Sequence, residues 1–166
     1  MGADGDLVAK RLARGSRCFV VWIGGAVGGY GWLSVSPEWM GEVQLRITPR
    51  AGEGYVWNCV TVPEHRRKGI FRSVLTGISN DAHDEGLKRL WIGSVAIPAE
   101  KAVGPSGFKP ALHFTSVNTA GFHWLAVRPS PDGDPALIAD ARSVLGVGGR
   151  PLRPGVSLRR SRPMRH

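Results

Sequence analysis

The chain has 166 residues, which is enough for one domain with an apolar core and too few for two ordinary domains. Its apolar content of 42% excludes a disordered chain. The formal net charge of +9 is uneven, because residues 148–166 hold six arginines and no acidic residue. This charge therefore belongs mostly to a terminal extension rather than to a basic face of the fold. Two cysteines, Cys18 and Cys59, give neither a disulfide framework nor a zinc spacing.

The N-terminal third of the chain predicts a short helix followed by a hairpin. Residues 6–14 place their apolar side chains in helical register, and Gly15 ends the helix. Two apolar runs separated by a Gly-Gly pair then predict antiparallel strands, Cys18–Ile23 and Val27–Val35. Residues 18–35 are uncharged and follow a basic run, so a membrane anchor is the alternative interpretation. The five glycines of this stretch favour the hairpin.

The middle of the chain predicts a strand, a glycine-bearing loop, a helix and a second strand. A third antiparallel strand is predicted by alternation over 43–47, before a central strand over 55–62. Apolar residues with a 3.6-residue period predict a helix over 69–85, and an apolar strand follows over 90–97. This order favours a right-handed parallel crossover. The predicted class is α/β, with a mixed α+β sheet that begins with antiparallel strands.

The C-terminal part is less regular in its pattern. Residues 112–126 predict one or two further strands, and residues 136–146 predict a short helix. The composition after Val127 turns to Pro, Gly, Asp and Arg, which is typical of a disordered segment.

The segment Val60–Leu75, VTVPEHRRKGIFRSVL, places a basic loop between a strand and the start of a helix. The first turn of a helix leaves four N–H groups unpaired, and its dipole adds partial positive charge. Gly69 allows the backbone to approach a ligand closely, and four cationic side chains surround it. These features predict an anion site that fits a diphosphate. The alternative is a helix whose basic N-terminus is merely solvated.

The same residues resemble the acyl-CoA-binding signature of the GNAT N-acetyltransferases, whose core pattern is Gln/Arg-x-x-Gly-x-Gly/Ala. Arg66 takes the first position and Gly69 the middle one, while Phe71 replaces the final small residue. The resemblance covers about residues 16–127 and is strongest over 55–95. It implies an acyltransferase domain over 1–128, without the first strand and helix usual in the family. Residues 129–166 are then a largely disordered Pro/Gly/Arg-rich tail.

The resemblance also implies how acetyl-CoA, the acyl donor, would bind. The pantetheine arm would lie along the end of the central strand like an added strand, paired with backbone groups of Val60 and Val62. Backbone N–H groups of the loop would hold the pyrophosphate. The implied binding residues are Val60, Thr61, Val62, Arg66, Arg67, Lys68, Gly69, Ile70, Phe71 and Arg72. No metal is expected.

The proton-transfer residues of the family are replaced in this sequence. The central strand, where the family often has a carboxylate base, offers Asn58 as its inward candidate, and an amide takes no proton near neutral pH. Glu64 is the nearest carboxylate and could act through water, as could His65, Glu42 or Glu53. The family's tyrosine acid is replaced by Val103, which leaves Ser106 as the nearby hydroxyl. The catalytic candidates are therefore Glu64, Asn58 and Ser106.

Three functions remain open at this stage. The first is an N-acetyltransferase that acts on a small-molecule or peptide amine. The second is a catalytically degenerate acyl-CoA-binding domain, and the third is non-specific nucleic-acid binding through the arginine tail, with no specific recognition expected. An acceptor groove could be formed by tryptophans that could equally be core residues, namely Trp32, Trp39, Trp57 and Trp124. We expect a cytoplasmic protein without a membrane segment, and a homodimer is an expectation based on the family.

Overall fold

The structure is a computed structural model that describes residues 5–94, 101–119 and 122–147. These residues form two compact units. The first comprises the described residues up to 38 together with 46–108, and the second comprises 39–45 and the described residues from 109 onward. The expected disorder of the tail lies, for residues 148–166, outside the described residues. The predicted domain boundary at residue 128 stays a prediction.

The first unit is built on a four-stranded mixed sheet with the order β1-β2-β5-β6. Helix α1 (Gly5–Ala13) precedes the hairpin of β1 (Arg17–Ile23) and β2 (Ala26–Ser34). The hairpin prediction is confirmed, and the membrane-anchor alternative for these residues is wrong. Among the described residues, no helix is long and apolar enough to cross a membrane.

The central strand β5 (Glu53–Thr61) pairs antiparallel with β2 and parallel with β6 (Arg89–Ile92). Helix α2 (Ile70–Asp84) forms the crossover between β5 and β6, so the predicted strand-loop-helix-strand unit is confirmed. Strand β6 ends at Ile92 rather than near residue 97, and residues 95–97 lie outside the described residues.

Helix α2 packs against one face of this sheet and forms the core with it. Its apolar residues have the predicted 3.6-residue period. The cluster of buried residues between helix and sheet consists of Leu33, Val56, Val74, Leu75, Ile78 and Ala82, each 2% exposed or less. The helix approaches β2 closely, because a Cβ built on Gly31 would lie 2.7 Å from Cγ1 of Val74. Glycine at this position therefore allows the contact between helix and sheet.

Two short strands, β3 (Glu38–Met40) and β4 (Leu45–Ile47), pair with each other. The sequence predicted β4 as part of 43–47 but missed β3. The three residues of β3 lie between Pro37 and Gly41, and so short a run gives no readable alternation.

The second unit contains a hairpin of β7 (Leu112–Thr119) and β8 (Phe122–Pro129), followed by helix α3 (Pro135–Val144). The side chain of Asp134 caps α3 by accepting a hydrogen bond from the N–H of Leu137 at 2.9 Å. Both elements agree with the sequence prediction for 112–126 and 136–146.

Candidate functional site: the start of α2 and the open edge of β5

The N-terminus of α2 begins at Gly69, which adopts a left-handed conformation with φ of 78°. No side chain caps this end of the helix, and the first intrahelical bond runs from the N–H of Ser73 to the carbonyl of Gly69 at 3.0 Å. The N–H groups of the first turn therefore have no intrahelical acceptor. A Cβ built on Gly69 would meet nothing within 4 Å, so the backbone at Gly69 itself is uncrowded.

Four cationic side chains surround this helix start, and all of them are exposed: Arg66, Arg67, Lys68 and Arg72. Within the described residues, none of them forms an ion pair with a carboxylate. Arg67 adopts φ of 61°, so two left-handed residues lie within three positions of the loop. A non-glycine residue in this region carries backbone strain, which is common at ligand-binding loops. Cations collected at a helix N-terminus oppose its dipole unless an anion binds between them.

The adjacent end of β5 has one unpaired edge. Its parallel pairing with β6 runs only from Glu53↔Arg89 to Val56↔Ile92, whereas its pairing with β2 continues to Thr61. Among the described residues, which omit 95–100, residues 57–61 therefore have a strand neighbour on the β2 side alone. The open edge spans five residues, or about 16 Å of extended chain.

The direction of the backbone groups along this edge corrects part of the sequence prediction. The N–H of Val62 donates to the carbonyl of Gly28 on β2 at 3.0 Å, and the carbonyl of Val62 accepts from the N–H of His65 at 2.9 Å. Both backbone groups of Val62 are therefore already hydrogen-bonded within the chain. By the alternation of an antiparallel ladder, Val60 also faces β2, and Thr61 faces the open edge. The pairing predicted for Val60 and Val62 is better assigned to Thr61.

Asn58 lies in a β-bulge at the point where the two strands part. The register changes from Tyr30↔Val60 to Trp32↔Trp57, so that two residues of β5 oppose one residue of β2. Asn58 adopts φ of 46° and its side chain is exposed. The expectation that Asn58 points inward is wrong, because the extra residue interrupts the alternation on which that expectation depended.

The other proton-transfer candidates are distributed around the first unit. Glu64 is exposed in the 3₁₀ turn Pro63–His65, directly between β5 and the basic loop. Nδ1 of His65 in the same turn is buried and has no hydrogen-bond partner within the described residues. The hydroxyl of Ser106 donates to the carbonyl of Ala102 at 2.9 Å, and Val103 packs against the core. This hydrogen bond counts against Ser106 as a general acid.

Glu53 is not placed near the basic loop, and Glu42 belongs to the other unit. Glu53 opens β5 at the opposite end from the loop, and its buried carboxylate accepts hydrogen bonds from Nε1 of Trp91 at 2.9 Å and from the N–H of Arg50 at 3.1 Å. This carboxylate therefore holds β5 to its neighbours. Glu42 is exposed and belongs to the second unit.

An aromatic pair with a cation over it lies on the sheet of the first unit. The ring centroids of Trp32 and Trp57 are 5.9 Å apart, and the guanidinium carbon of Arg11 lies 5.1 Å from the first and 4.5 Å from the second. Sequence reasoning named the two tryptophans and missed Arg11, whose position on α1 gave no signal of this contact. The other two tryptophans of the predicted groove, Trp39 and Trp124, belong to the second unit.

Comparisons with known proteins identify the family to which this fold belongs. The sequence model of the Acetyltransferase (GNAT) family matches residues 4–104, which is more than half of the chain. No curated protein matches the sequence.

Several solved structures share the fold at low sequence identity. An acetyltransferase of Bacillus subtilis in complex with CoA is 17% identical with a TM-score of 0.52, covering 72% of this chain and 77% of its own. An acetyltransferase of Trypanosoma brucei is 14% identical with a TM-score of 0.51, covering 69% and 76%. An aminoglycoside acetyltransferase from an uncultured soil sample, in complex with sisomicin, is 13% identical with a TM-score of 0.50, covering 72% and 77%.

Proposed function

Because the chain belongs to the GNAT acetyltransferase family, we propose that it transfers an acetyl group from acetyl-CoA to an amine by direct attack. The observation that carries this proposal is the uncapped, uncrowded start of α2 at Gly69 beside a strand edge that has no partner among the described residues. Helix start and strand edge together match the two ends of the donor, a diphosphate and an extended amide-bearing arm.

The residues present fit the donor. The free N–H groups of the first turn of α2 would hold the pyrophosphate, with Arg66, Arg67, Lys68 and Arg72 supplying positive charge. The backbone of Thr61 would pair with an amide of the pantetheine arm. Ile70 and Phe71 would contribute their backbone N–H groups, because their side chains pack against the core. Val60, Val62 and the side chain of Thr61 would contact the arm without further pairing.

The reaction needs one bond to form and one to break. The acceptor nitrogen attacks the thioester carbon, the C–S bond breaks, the amine loses a proton and the CoA thiolate gains one. The bulge at Asn58 interrupts the ladder beside the acyl end of the arm, and a backbone N–H freed there would stabilise the developing oxyanion. Glu64, through water, is our candidate for the proton acceptor, because it is exposed at the end of β5 next to the loop.

Substitution of Glu64 tests this function and this role together. We expect wild-type protein to acetylate an amine in a screened panel, and Glu64→Gln to lower kcat about 10²-fold with an unchanged affinity for acetyl-CoA. Glu42→Gln, which changes another exposed glutamate in the same way, is the matched control. Equal rates for Glu64→Gln and wild type would remove Glu64 from the mechanism.

A second candidate function is acyl-CoA binding without efficient catalysis. It is favoured by Val103, which packs into the core where the family has a tyrosine acid, and by the Ser106 hydroxyl that is bound to Ala102. Acetyl-CoA would then raise the melting temperature of the protein while no amine in the panel is acetylated. Under the enzymatic proposal, both a thermal shift and amine-dependent release of CoA are expected.

Some expectations from the sequence stay predictions. They are the cytoplasmic location, the homodimer and the absence of specific nucleic-acid recognition by the arginine tail. The acceptor is a small-molecule or peptide amine in the proposal.

A further inference from the structure

A polar cluster lies on the face of the sheet opposite α2. Val56 and Leu33 pack with α2, so the alternation of β5 and β2 turns Trp57 and Trp32 to the other face. Arg11 of α1 covers both rings there, at 4.5 Å and 5.1 Å from their centroids. The cluster, defined as Arg11, Trp32 and Trp57, belongs entirely to the first unit.

The cluster offers hydrogen-bond donors without acceptors. Nε1 of Trp57 is buried and has no partner within the described residues. No carboxylate in that part of the chain lies within ion-pair distance of the Arg11 guanidinium, which carries five N–H donors. A buried unpaired donor is costly and needs an explanation. The guanidinium and the indole are both donor-only groups and lie side by side, so a carboxylate is an acceptor that could serve both.

The position of Trp57 connects this cluster with the acyl end of the donor. Trp57 follows Val56, the last residue of β5 that pairs with β6, and so begins the open edge. The start of α2 lies beyond the other end of that edge, about 16 Å of extended chain away. An arm that runs along the edge from the helix start therefore ends near Trp57. The amine that attacks the thioester must reach the same place.

We propose that the acceptor of this enzyme is a small amine that also carries a carboxylate, bound by the guanidinium of Arg11 and the indole N–H of Trp57. This inference rests on the proposed function. A guanidinium presents a planar fork that matches a carboxylate in two hydrogen bonds, and the indole N–H adds a third donor. Simple amino acids are the plainest members of this substrate class.

The test compares acceptors that differ only in the carboxylate. Wild-type protein with saturating acetyl-CoA is given a mixture of the common amino acids, or the same mixture as carboxamides, and N-acetylated products are measured by mass spectrometry. We expect the acids to be acetylated with kcat/KM at least tenfold above that of the amides. Equal use of the two mixtures, or use of neither, overturns the inference.

Matched variants then test whether the cluster causes the preference for acids over amides. Arg11→Gln should raise KM for the acids about 10- to 100-fold and leave the amides unchanged, and Trp57→Phe, which keeps the ring and removes the N–H, should raise it about threefold to tenfold. Lys10→Gln removes an exposed charge from the adjacent position of α1 and should change neither. If Arg11 only covers the rings, Arg11→Gln lowers stability and affects acids and amides equally, which contradicts the inference.

A thermal-shift measurement with acetyl-CoA alone distinguishes failure of the proposed function from failure of the acceptor inference. If acetyl-CoA gives no shift, the proposed function fails, and the acceptor inference fails with it. If acetyl-CoA gives a shift and amides are used as well as acids, only the acceptor inference is overturned.

Discussion

The two halves of β5 differ in every respect that matters for binding. Residues 53–56 are buried and all pair with β6, Tyr55 and Val56 pair with β2 as well, and the carboxylate of Glu53 is hydrogen-bonded. Within the part of the chain that the structure describes, residues 57–61 pair with β2 alone and include a left-handed Asn58 and an unpartnered indole N–H at Trp57. One strand therefore supplies both a stable anchor and an unsatisfied edge. The proposed binding edge begins at Trp57, where the ladder to β6 has ended.

The bulge at Asn58 gives a physical reason for this division. An extra residue bends a strand and increases its local twist, so β5 follows β2 beyond the bulge while its pairing with β6 has already ended at Val56. The backbone groups that β6 would otherwise bind are left for a ligand.

The largest effect on stability should come from proline substitutions at neighbouring positions in residues 57–61, the open half of β5. The N–H of Val60 faces β2 in the ladder, so Val60→Pro should lower the free energy of unfolding by about 3 kcal/mol or more. The N–H of Thr61 faces the open edge, so Thr61→Pro should cost less than about 1 kcal/mol. Urea unfolding measures both.

The affinity for acetyl-CoA should also distinguish the two proline variants. Thr61→Pro removes a donor from the edge and should weaken acetyl-CoA binding severalfold in a protein that stays folded. Equal destabilisation by the two prolines would show that β5 has no open edge at Thr61.

A smaller loss of stability is expected from a substitution in residues 53–56, the half of β5 that pairs with β6. Glu53→Ala leaves the N–H groups of Trp91 and Arg50 without their acceptor, and should lower the free energy of unfolding by about 2–3 kcal/mol. The half-exposed Arg89 adds little, because solvent screens its charge. Acetyl-CoA affinity of the folded variant should stay at the wild-type value. A selective loss of affinity with normal stability would instead place Glu53 at the ligand site.

Much of the fold could be predicted from the sequence, because the signals were local. The Gly-Gly turn predicted the β1–β2 hairpin, the 3.6-residue period predicted α2, and Gly69 marked the start of that helix. The uncapped helix start at Gly69 could be predicted for the same reason, since a helix start and a glycine are both visible in four residues, while its binding of an anion stays a prediction.

The failures came from features that alternation cannot show. The bulge turned Asn58 outward, and the hydrogen bond from Val62 to Gly28 reversed the expected direction of the backbone groups. Arg11 reached the tryptophans through a contact between residues far apart in the sequence. Such contacts depend on tertiary packing, for which a single sequence offers no local signal.

The smallest expected effect on stability concerns Cys59, which lies in residues 57–61 of β5 and packs against the core. Burial raises the pKa of the Cys59 thiol to about 12, against a reference of 9.0. Below pH 9 the thiol is neutral in both states and its contribution is intact. Above pH 9 the unfolded thiol ionises and the folded one does not, so stability falls as pH rises towards 12. At pH 10 this loss should be about 1 kcal/mol relative to pH 8.

Two cysteine variants test whether the loss of stability between pH 8 and pH 10 comes from Cys59. Urea unfolding of Cys59→Ala should show a smaller decline between pH 8 and pH 10 than wild type. Cys18→Ala should reduce the decline less than Cys59→Ala, because burial raises the pKa of the Cys18 thiol as well but Cys18 is the more exposed cysteine. An identical decline in Cys59→Ala and wild type would mean that Cys59 is not shielded by α2.

The most direct test of the central claim uses the two ends of α2. Gly69 and Gly86 adopt φ of 78° and 79°, and a Cβ on either would meet nothing within 4 Å. Gly69→Glu and Gly86→Glu should therefore lose similar stability, about 1–2 kcal/mol from the left-handed backbone. Titration calorimetry should show that Gly69→Glu binds acetyl-CoA at least tenfold more weakly than wild type, while Gly86→Glu binds it normally. Equal affinities in the two variants would contradict an acetyl-CoA site at the start of α2.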